Sequence, residues 1–540
     1  MEQDIQRHSI ESDKKIRIWR LRIFRGLNQG LLWTMKLYLV LSFIELVFFP
    51  SLAVAFGLLV SFIGIMLTRQ TLCYTHKLLY HTVSTSALIF FCLFFDVLPL
   101  PATLMELKPI TYNMRNPYST FFYLIFLQII LLTIHSFYVR FSKDKNIVRN
   151  YLYRFGFFKS LSSQEVWFLI IGSLAWYAFV MLTRGLYTEE SLNVNSRFGV
   201  VEWGINLFFS TYYQCVFIFY FRKFNNIKGN YNINHFLIFL LALIIFIIGI
   251  GTNMRTAAIT VFANAAFSMV LYFLLFAEQR KRFVKAKYIV PIGILLLFFA
   301  GPFQSISESM VSVRDNRSGK NAMEIIEMTL DNAGPAEDES AVLIKKEQST
   351  MEWDERYLSS DLFNRFCSLK ILDETIFHAK RLTETERKEM RLSLYDKILD
   401  QLPGVIKRSI GMRVTYNERQ YSLSDLLYFL SVDGRSYLGG VKIGSLPGLG
   451  LALFGYWFPL VLFPLYLIVF YLMDSIILFR NGRIILPLFF FAGMMDYLAL
   501  FSDRHFYLFE TRFIFRGFWE TVIVYIITIN IIKRLPFLKH

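Results

Sequence analysis

The run Gly251-Thr252-Asn253-Met254-Arg255 sets a guanidinium just beyond two glycines, Gly249 and Gly251, at the start of an apolar stretch. Glycine lets backbones approach closely, and a helix N-terminus already carries positive partial charge, so a cation there is unfavourable on its own. An anion resolves the conflict, because free backbone N–H groups and a guanidinium fork both suit phosphate oxygens. The plainer account is an arginine that snorkels to lipid headgroups. Two further clusters offer related chemistry. Between Glu308 and Arg317 lie Ser309, Ser312, Arg314 and Asp315, and the two arginines would share one face of a helix; a solvated stretch with a local ion pair is the competing account. The third cluster is Asp503-Arg504-His505 followed by Glu510, Arg512 and Arg516, for which headgroup anchoring is the simpler explanation. Across the three, Arg255, Arg314, Arg317, Arg504, Arg512 and Arg516 are candidate anion ligands. Glu308, Asp315, Asp503 and His505 are candidate proton acceptors.

The elements that must position these groups are membrane helices. Of 540 residues, 55% are hydrophobic and only 18% charged, against roughly 25% charged in a soluble chain, which excludes a single soluble domain. Stretches long enough to span a bilayer fall near 31–49, 52–68, 80–98, 119–139, 166–183, 204–221, 235–251, 256–276, 288–303, 448–474, 484–501 and 517–533, about 12 in all. The expected fold is therefore an all-α polytopic membrane protein. Its parts are a basic cytoplasmic tail (1–30), helices one to nine (31–303), a large outer loop (304–443), helices ten to twelve (444–533) and a short tail (534–540).

Charge orients this arrangement. The chain carries 57 Lys+Arg against 41 Asp+Glu, a net +16. Most of the surplus lies in the tails and alternate loops, as in Arg17, Arg20, Arg22 and Arg25, or Arg280, Lys281 and Arg282, so it marks the cytoplasmic side with both termini on it, and not a nucleic-acid partner. The clusters of the first paragraph break that rule on the outer side. Within the outer loop, Leu362, Phe363, Phe366, Leu369 and Leu372 recur at helical spacing, Thr383 with Glu386 forms a capping-box start for a helix to about Leu402, and Ser424 to Ser431 has the length of an interfacial helix. His378, the loop's histidine, is expected at the surface. Trp353, Tyr357, Tyr416, Tyr421, Tyr428, Tyr437, Phe506 and Tyr507 could stack on sugar faces. Glu45, Asp96, Asp474 and Asp496 fall mostly near span ends, so the membrane interior is expected to be poor in charge, unlike that of a transporter. Cys73, Cys92, Cys215 and Cys367 show no disulfide or metal spacing, and soluble-enzyme motifs are absent.

An arginine in a short Gly-rich outer turn, a large outer loop before the last spans and the run Gly444-Ser445-Leu446-Pro447-Gly448-Leu449-Gly450-Leu451-Ala452-Leu453-Phe454-Gly455-Tyr456-Trp457 together resemble the bacterial oligosaccharide repeat-unit polymerases, the Wzy-type O-antigen polymerases. The likeness covers roughly residues 235–475 and is topological elsewhere. It implies a glycosyltransferase-C-like enzyme of the bacterial inner membrane with a periplasmic outer loop. Such an enzyme joins undecaprenyl-diphosphate-linked repeats without metal or other cofactor, alongside a chain-length regulator protein. By the same resemblance Arg255, Arg314 and Arg317 would hold the diphosphate, and one of Glu308, Asp315, Asp503 or His505 would accept the acceptor's proton. The first outer loop, Pro50-Ser51, lacks an aspartate base, which fits the metal-independent polymerase and ligase branch. An O-antigen-ligase-like enzyme and a lipid-linked sugar flippase are the alternatives.

Overall fold

A computed structural model describes residues 26–73, 80–142, 146–184, 211–221, 227–228, 233–251, 322–331, 352–358, 367–402, 421–432, 442–480, 483–493 and 507–536, with short fragments at 205, 208–209, 261–262, 264–269, 271–272, 306, 309, 364, 409, 434 and 438. The chain is mostly helical. Among the described residues, six helices are long and apolar enough to cross a membrane. In chain order the main helices are α1 (Gly26–Phe48), α2 (Leu52–Cys73), α3 (Thr82–Met105), α4 (Pro117–Phe141), α5 (Ser163–Arg184), α6 (His235–Gly251), α7 (Leu369–Ala379), α8 (Glu384–Asp400), α9 (Leu423–Ser431), α10 (Leu446–Ile476) and α11 (Leu508–Ile532). The six apolar ones are α1, α2, α3, α4, α10 and α11. Along α1, Leu37, Val40, Phe43, Val47 and Phe48 are exposed, an apolar face suited to lipid and not to water.

The frame is α2, α3, α4 and α10. Helix α4 starts where Asn116 accepts from Ser119 N and Pro117 occupies the first turn, a residue whose missing N–H costs nothing there. It packs most closely on α2, where two glycines one heptad apart make room. A Cβ at Gly57 would lie 2.5 Å from the Phe121 ring, and one at Gly64 would lie 2.4 Å from Gln128 Oε1. Small residues allow this approach between membrane helices, where packing substitutes for a hydrophobic driving force. On its other side α4 meets α10 through rings: Phe126 on Phe458, Phe137 on Phe463 and His135 on Phe470.

Two polar seams close the frame at its ends. At the end carrying residues 80–81, 477–480 and 483–487, buried Asp474 accepts from Ser84 N, Ser84 Oγ (2.7 Å) and His81 Nδ1 (3.1 Å), while Arg149 donates to the Asp474 carbonyl oxygen. At the opposite end, which carries residues 106–116 and is here termed the loop end, α7, α8 and α9 pack on the first part of α10. The capping box at Thr383 and Glu386 starts α8 as its sequence predicts, and a second one, Ser422 with Asp425, starts α9. Helix α9 is not interfacial: Leu423, Leu426 and Leu427 are buried beneath α7, α8 and α10.

Several spans differ from expectation, and that at 484–501 opens on a short strand, Arg483–Ile485, paired antiparallel with Leu478–Arg480 and followed by a five-residue helix, Leu488–Ala492. Helix α10 counts 31 residues, or about 46 Å, well beyond a ~30 Å hydrocarbon core. It breaks at Gly455, whose φ of 57° is left-handed, and everything before it from Leu446 to Leu453 is buried in the loop-end layer. Tyr456 and Trp457 follow, 83% and 73% exposed, as aromatic residues at a membrane boundary are. The apolar segment after the break starts at Phe458, ten residues later than the expected span. Helix α11 begins at Leu508 and not near 517, because a π-turn at Phe513–Gly517 keeps the helix continuous through Arg516. The expected spans at 166–183 and 235–251 are helices α5 and α6, that at 204–221 contains a 3-10 helix, Tyr212–Tyr220, and that at 288–303 lies outside the described residues.

Gly57→Val should lower the thermal unfolding midpoint of the detergent-solubilised protein, at a cost of about 1–3 kcal/mol for overpacking. Leu59→Val, on the exposed side of the same helix, should stay near wild type. Equal midpoints for all three proteins would show that α2 and α4 are not in tight contact at Phe121.

Candidate functional site

The loop end holds the densest ionic cluster among the described residues, and α7 supplies most of it. Asp373 and Glu374 stand in the middle of a helix whose other members are nearly all buried. Carboxylates in such a place need donors on every oxygen. Asp373 finds them at the start of α4: its Oδ2 accepts from Arg115 N (2.6 Å), and its Oδ1 from Asn116 N (3.0 Å) and Thr120 Oγ1 (2.8 Å). Glu374 takes the Arg115 guanidinium, with Nε at 2.8 Å from Oε2 and Nη2 at 2.7 Å from Oε1. Lys370 Nζ, 3.0 Å away, and Asp354 N complete its shell.

The cluster continues into aromatic packing. His378 lies 3.4 Å from Glu374 through Nε2 and 2.7 Å from Ser431 Oγ through Nδ1. Trp353 stacks on its ring and Tyr428 meets it edge-on. Trp353 Nε1 donates to Glu355 Oε1, which also accepts from Ile443 N and so ties this segment to the chain entering α10. Tyr357 is fully buried with its hydroxyl on the Ile110 carbonyl.

These contacts set the proton affinities. Burial alone would raise Glu374, but the nearby His378 ring, the Arg115 fork and Lys370 prevail and hold it at about 2. Such a carboxylate is too weak a base for proton transfer at neutral pH. Burial pushes His378 below the usual imidazole range against the pull of Glu374, which favours the neutral ring. Burial also lifts Glu355, opposed by the Ile443 N–H and by Trp353. Of the two carboxyls, Glu355 is the one whose proton affinity is raised.

Several sequence expectations change here. His378 is buried, not superficial. Trp353, Tyr357 and Tyr507 are engaged in packing and are not free platforms for sugar. Of the five apolar residues read as one helix, Leu369 and Leu372 lie on α7, whereas Leu362, Phe363 and Phe366 lie outside the described residues. So do most of the candidate site residues: Arg255, Glu308, Arg314, Asp315, Arg317, Asp503, Arg504 and His505. Arg512 and Arg516 are described: Arg512 immediately precedes the π-turn of α11 and Arg516 lies within it. Arg516 pairs with Glu520 at 2.9 Å, while Arg512 is exposed. Behind them Glu510 is fully buried and accepts from Tyr466 OH, and Tyr507 adopts a left-handed φ of 67°, a strained geometry for a bulky residue.

Sequence reasoning passed over Arg115, Glu355 and Glu374. The available signal was an adjacent acid pair inside an otherwise apolar helical stretch. It also placed Asp96 near a span end. The structure sets Asp96 well inside α3, fully buried and hydrogen-bonded to Gln128. No family model matches the chain, and no curated protein or solved structure matches it.

Glu374→Gln keeps the shape of the site but removes the carboxylate paired with both Arg115 and Lys370, leaving Asp373 as the nearest acid to Lys370. Breaking a buried pair this way should cost about 3–5 kcal/mol, read as faster hydrogen exchange across α7. Unchanged exchange would show that the pair does not seat α7. Because the folded-state value of Glu374 lies below its ordinary 4.5, its contribution is complete above that pH and drains away as the pH falls toward about 2. The lowered His378 acts in the same direction, since protonating it below its ordinary 6.5 disfavours the folded form. Loss of α7 protection on acidification, and none between pH 7 and 8, is the expected profile.

Proposed function

We propose that the chain is a metal-independent membrane glycosyltransferase that polymerises undecaprenyl-diphosphate-linked oligosaccharide repeat units into surface polysaccharide. It would act at the outer face of a bacterial inner membrane, with both termini cytoplasmic and the 304–443 region periplasmic. The observation that carries this proposal is the set of arginines on the expected outer side, where orientation rules favour few cations. A helical layer seated on the loop end, with an exposed Arg512 at the head of α11, is compatible with a substrate that is part lipid and part anion.

In this scheme Arg255, Arg314, Arg317, Arg504, Arg512 and Arg516 supply the diphosphate ligands. The acceptor hydroxyl attacks the anomeric carbon of the growing chain, the bond to the diphosphate oxygen breaks, and undecaprenyl diphosphate leaves with the developing charge held by guanidinium groups. Glu308, Asp315, Asp503 or His505 takes the hydroxyl proton. Lipid and lipid-linked glycan are the partners, with a chain-length regulator protein as a further one. A glycosyltransferase-C-like fold with about 12 spans belongs to the same proposal.

A lipid-linked sugar flippase is the alternative that one observation favours, namely the buried Asp96 within α3, since ionisable groups at that depth mark transport pathways more often than glycosyl transfer. Deleting the chain from a glycan-producing cell separates the two. Loss of the polymer ladder with single repeats still attached supports polymerase, and loss of all attached glycan supports a flippase or a ligase-like enzyme. In the complemented strain, Arg255→Ala should abolish chain extension with unchanged protein level in the membrane. A wild-type ladder from that variant would exclude the diphosphate clamp.

A further inference from the structure

Inside the membrane frame, Gln128 of α4 sits in an unbalanced set of hydrogen bonds. Its Nε2 points at three acceptors, Gly64 O (3.1 Å), Thr68 Oγ1 (2.9 Å) and Asp96 Oδ2 (2.8 Å), although an amide nitrogen has two hydrogens. Its Oε1 has no donor, and neither does Asp96 Oδ1, though Gln128 and Asp96 are 1% and 0% exposed. Exchanging the amide oxygen and nitrogen does not help, because the carbonyl would then face Gly64 O and the Asp96 carboxyl. The orphaned oxygens also converge. From the place a Gly64 Cβ would occupy, Gln128 Oε1 is 2.4 Å away, Asp96 Oδ1 2.8 Å and Asp96 Oδ2 2.9 Å.

One proton completes the set. On Oδ1 it turns the Asp96 carboxyl into a donor for the unpartnered Gln128 carbonyl, and it removes a net charge from a site that contains no ion-pair partner among the described residues. A metal cation fits less well, since the point on which the three oxygens close is only one covalent bond length from Gly64 Cα. The titratable groups facing the carboxyl are Cys92, one turn back on α3, and Tyr38 of α1 with Glu45 beyond it, while α2 and α4 present Thr68 and Gln128. None of these is a cation. The backbone is also specialised here: Asp96 lies on a π-turn, Leu93–Val97, closed by Leu98 N to Leu93 O. Such insertions re-aim one side chain and recur at functional positions. We propose that α2, α3 and α4 build a proton-binding site at Asp96 inside the membrane, with Gln128 as the partner of the bound proton and Gly64 as the opening that admits both. This site stands whether the chain polymerises or moves lipid-linked glycan.

The test is infrared spectroscopy of the full chain, labelled with [13C]aspartate and reconstituted in lipid vesicles. The wild type should show an aspartic acid carbonyl band at pH 7 that bleaches reversibly on alkaline titration. Asp96→Asn, isosteric with the neutral acid, should lack the band, and Gln128→Leu should shift it toward the frequency of a free acid. If Asp96→Asn does not accumulate, the wild-type titration and the Gln128→Leu shift still decide. Absence of the band at pH 7, a band that no alkaline pH removes, or one bleached by sodium chloride at constant pH would each overturn the assignment.

Discussion

The two carboxylates of Asp373 and Glu374 are where the loop end is joined to the membrane frame. Asp373 takes up the backbone N–H groups at the head of α4, and Glu374 takes the guanidinium that immediately precedes it. A buried carboxylate is costly unless its oxygens are filled, so α7 holds its position only while residues 115 and 116 hold theirs. Everything the loop end builds then follows from α7. Helix α8 is anchored by Arg387 to the carbonyls of Ala379 and Leu451, α9 by the His378 to Ser431 contact, and the chain entering α10 by Glu355. The same constraint makes Arg115 unavailable as a phosphate ligand, since its fork is already occupied.

The interior repeats that logic at two other depths. Asp474 ties α3 to the end of α10 with Ser84 and His81 as donors, and His135 of α4 reaches the same Ser84 hydroxyl at 3.1 Å. Asp96 lies between them, facing Gln128. Each carboxyl joins elements far apart in sequence, at the depth where apolar packing alone does not fix how one helix is rotated against another. Between these polar joints the glycines Gly57 and Gly64 set the α2–α4 distance. Polar contacts thus specify register, and small residues permit the contact that makes those polar groups meet.

Hydrophobic run length carried most of what was legible in the amino-acid sequence. It located α1 to α6 and both α10 and α11 to within a few residues at most ends, and the Thr383–Glu386 box located α8, because these signals are local. The failures were of a different kind. Hydropathy does not distinguish lipid from protein interior, so the buried Leu446–Leu453 was joined to the apolar segment that follows Gly455. Partners across the fold were equally invisible: nothing near Arg115 announces Glu374, and nothing near Asp96 announces Gln128. The surface expectation for His378 and the peripheral one for Asp96 failed for this reason. Eight of the ten residues chosen for chemistry, Arg255 among them, lie outside the described residues, so the anion-binding proposal still stands on sequence pattern.

What the described carboxyls can do narrows the chemistry of the loop end. Proton transfer at neutral pH needs a group whose affinity lies near that pH and which is not already saturated with donors. Glu374 fails on both counts, held at about 2 by His378, Arg115 and Lys370 against its burial. Asp373 is committed to α4. Glu355 differs, because burial lifts it against the Ile443 amide, the Trp353 indole and the nearby charge of Lys442. It sits beside Trp353 and near the chain that leads into α10, on the side of the frame where the outer arginines are expected. The distinction rests on environment and not on residue type, since Glu355 and Glu374 are the same side chain with opposite shifts.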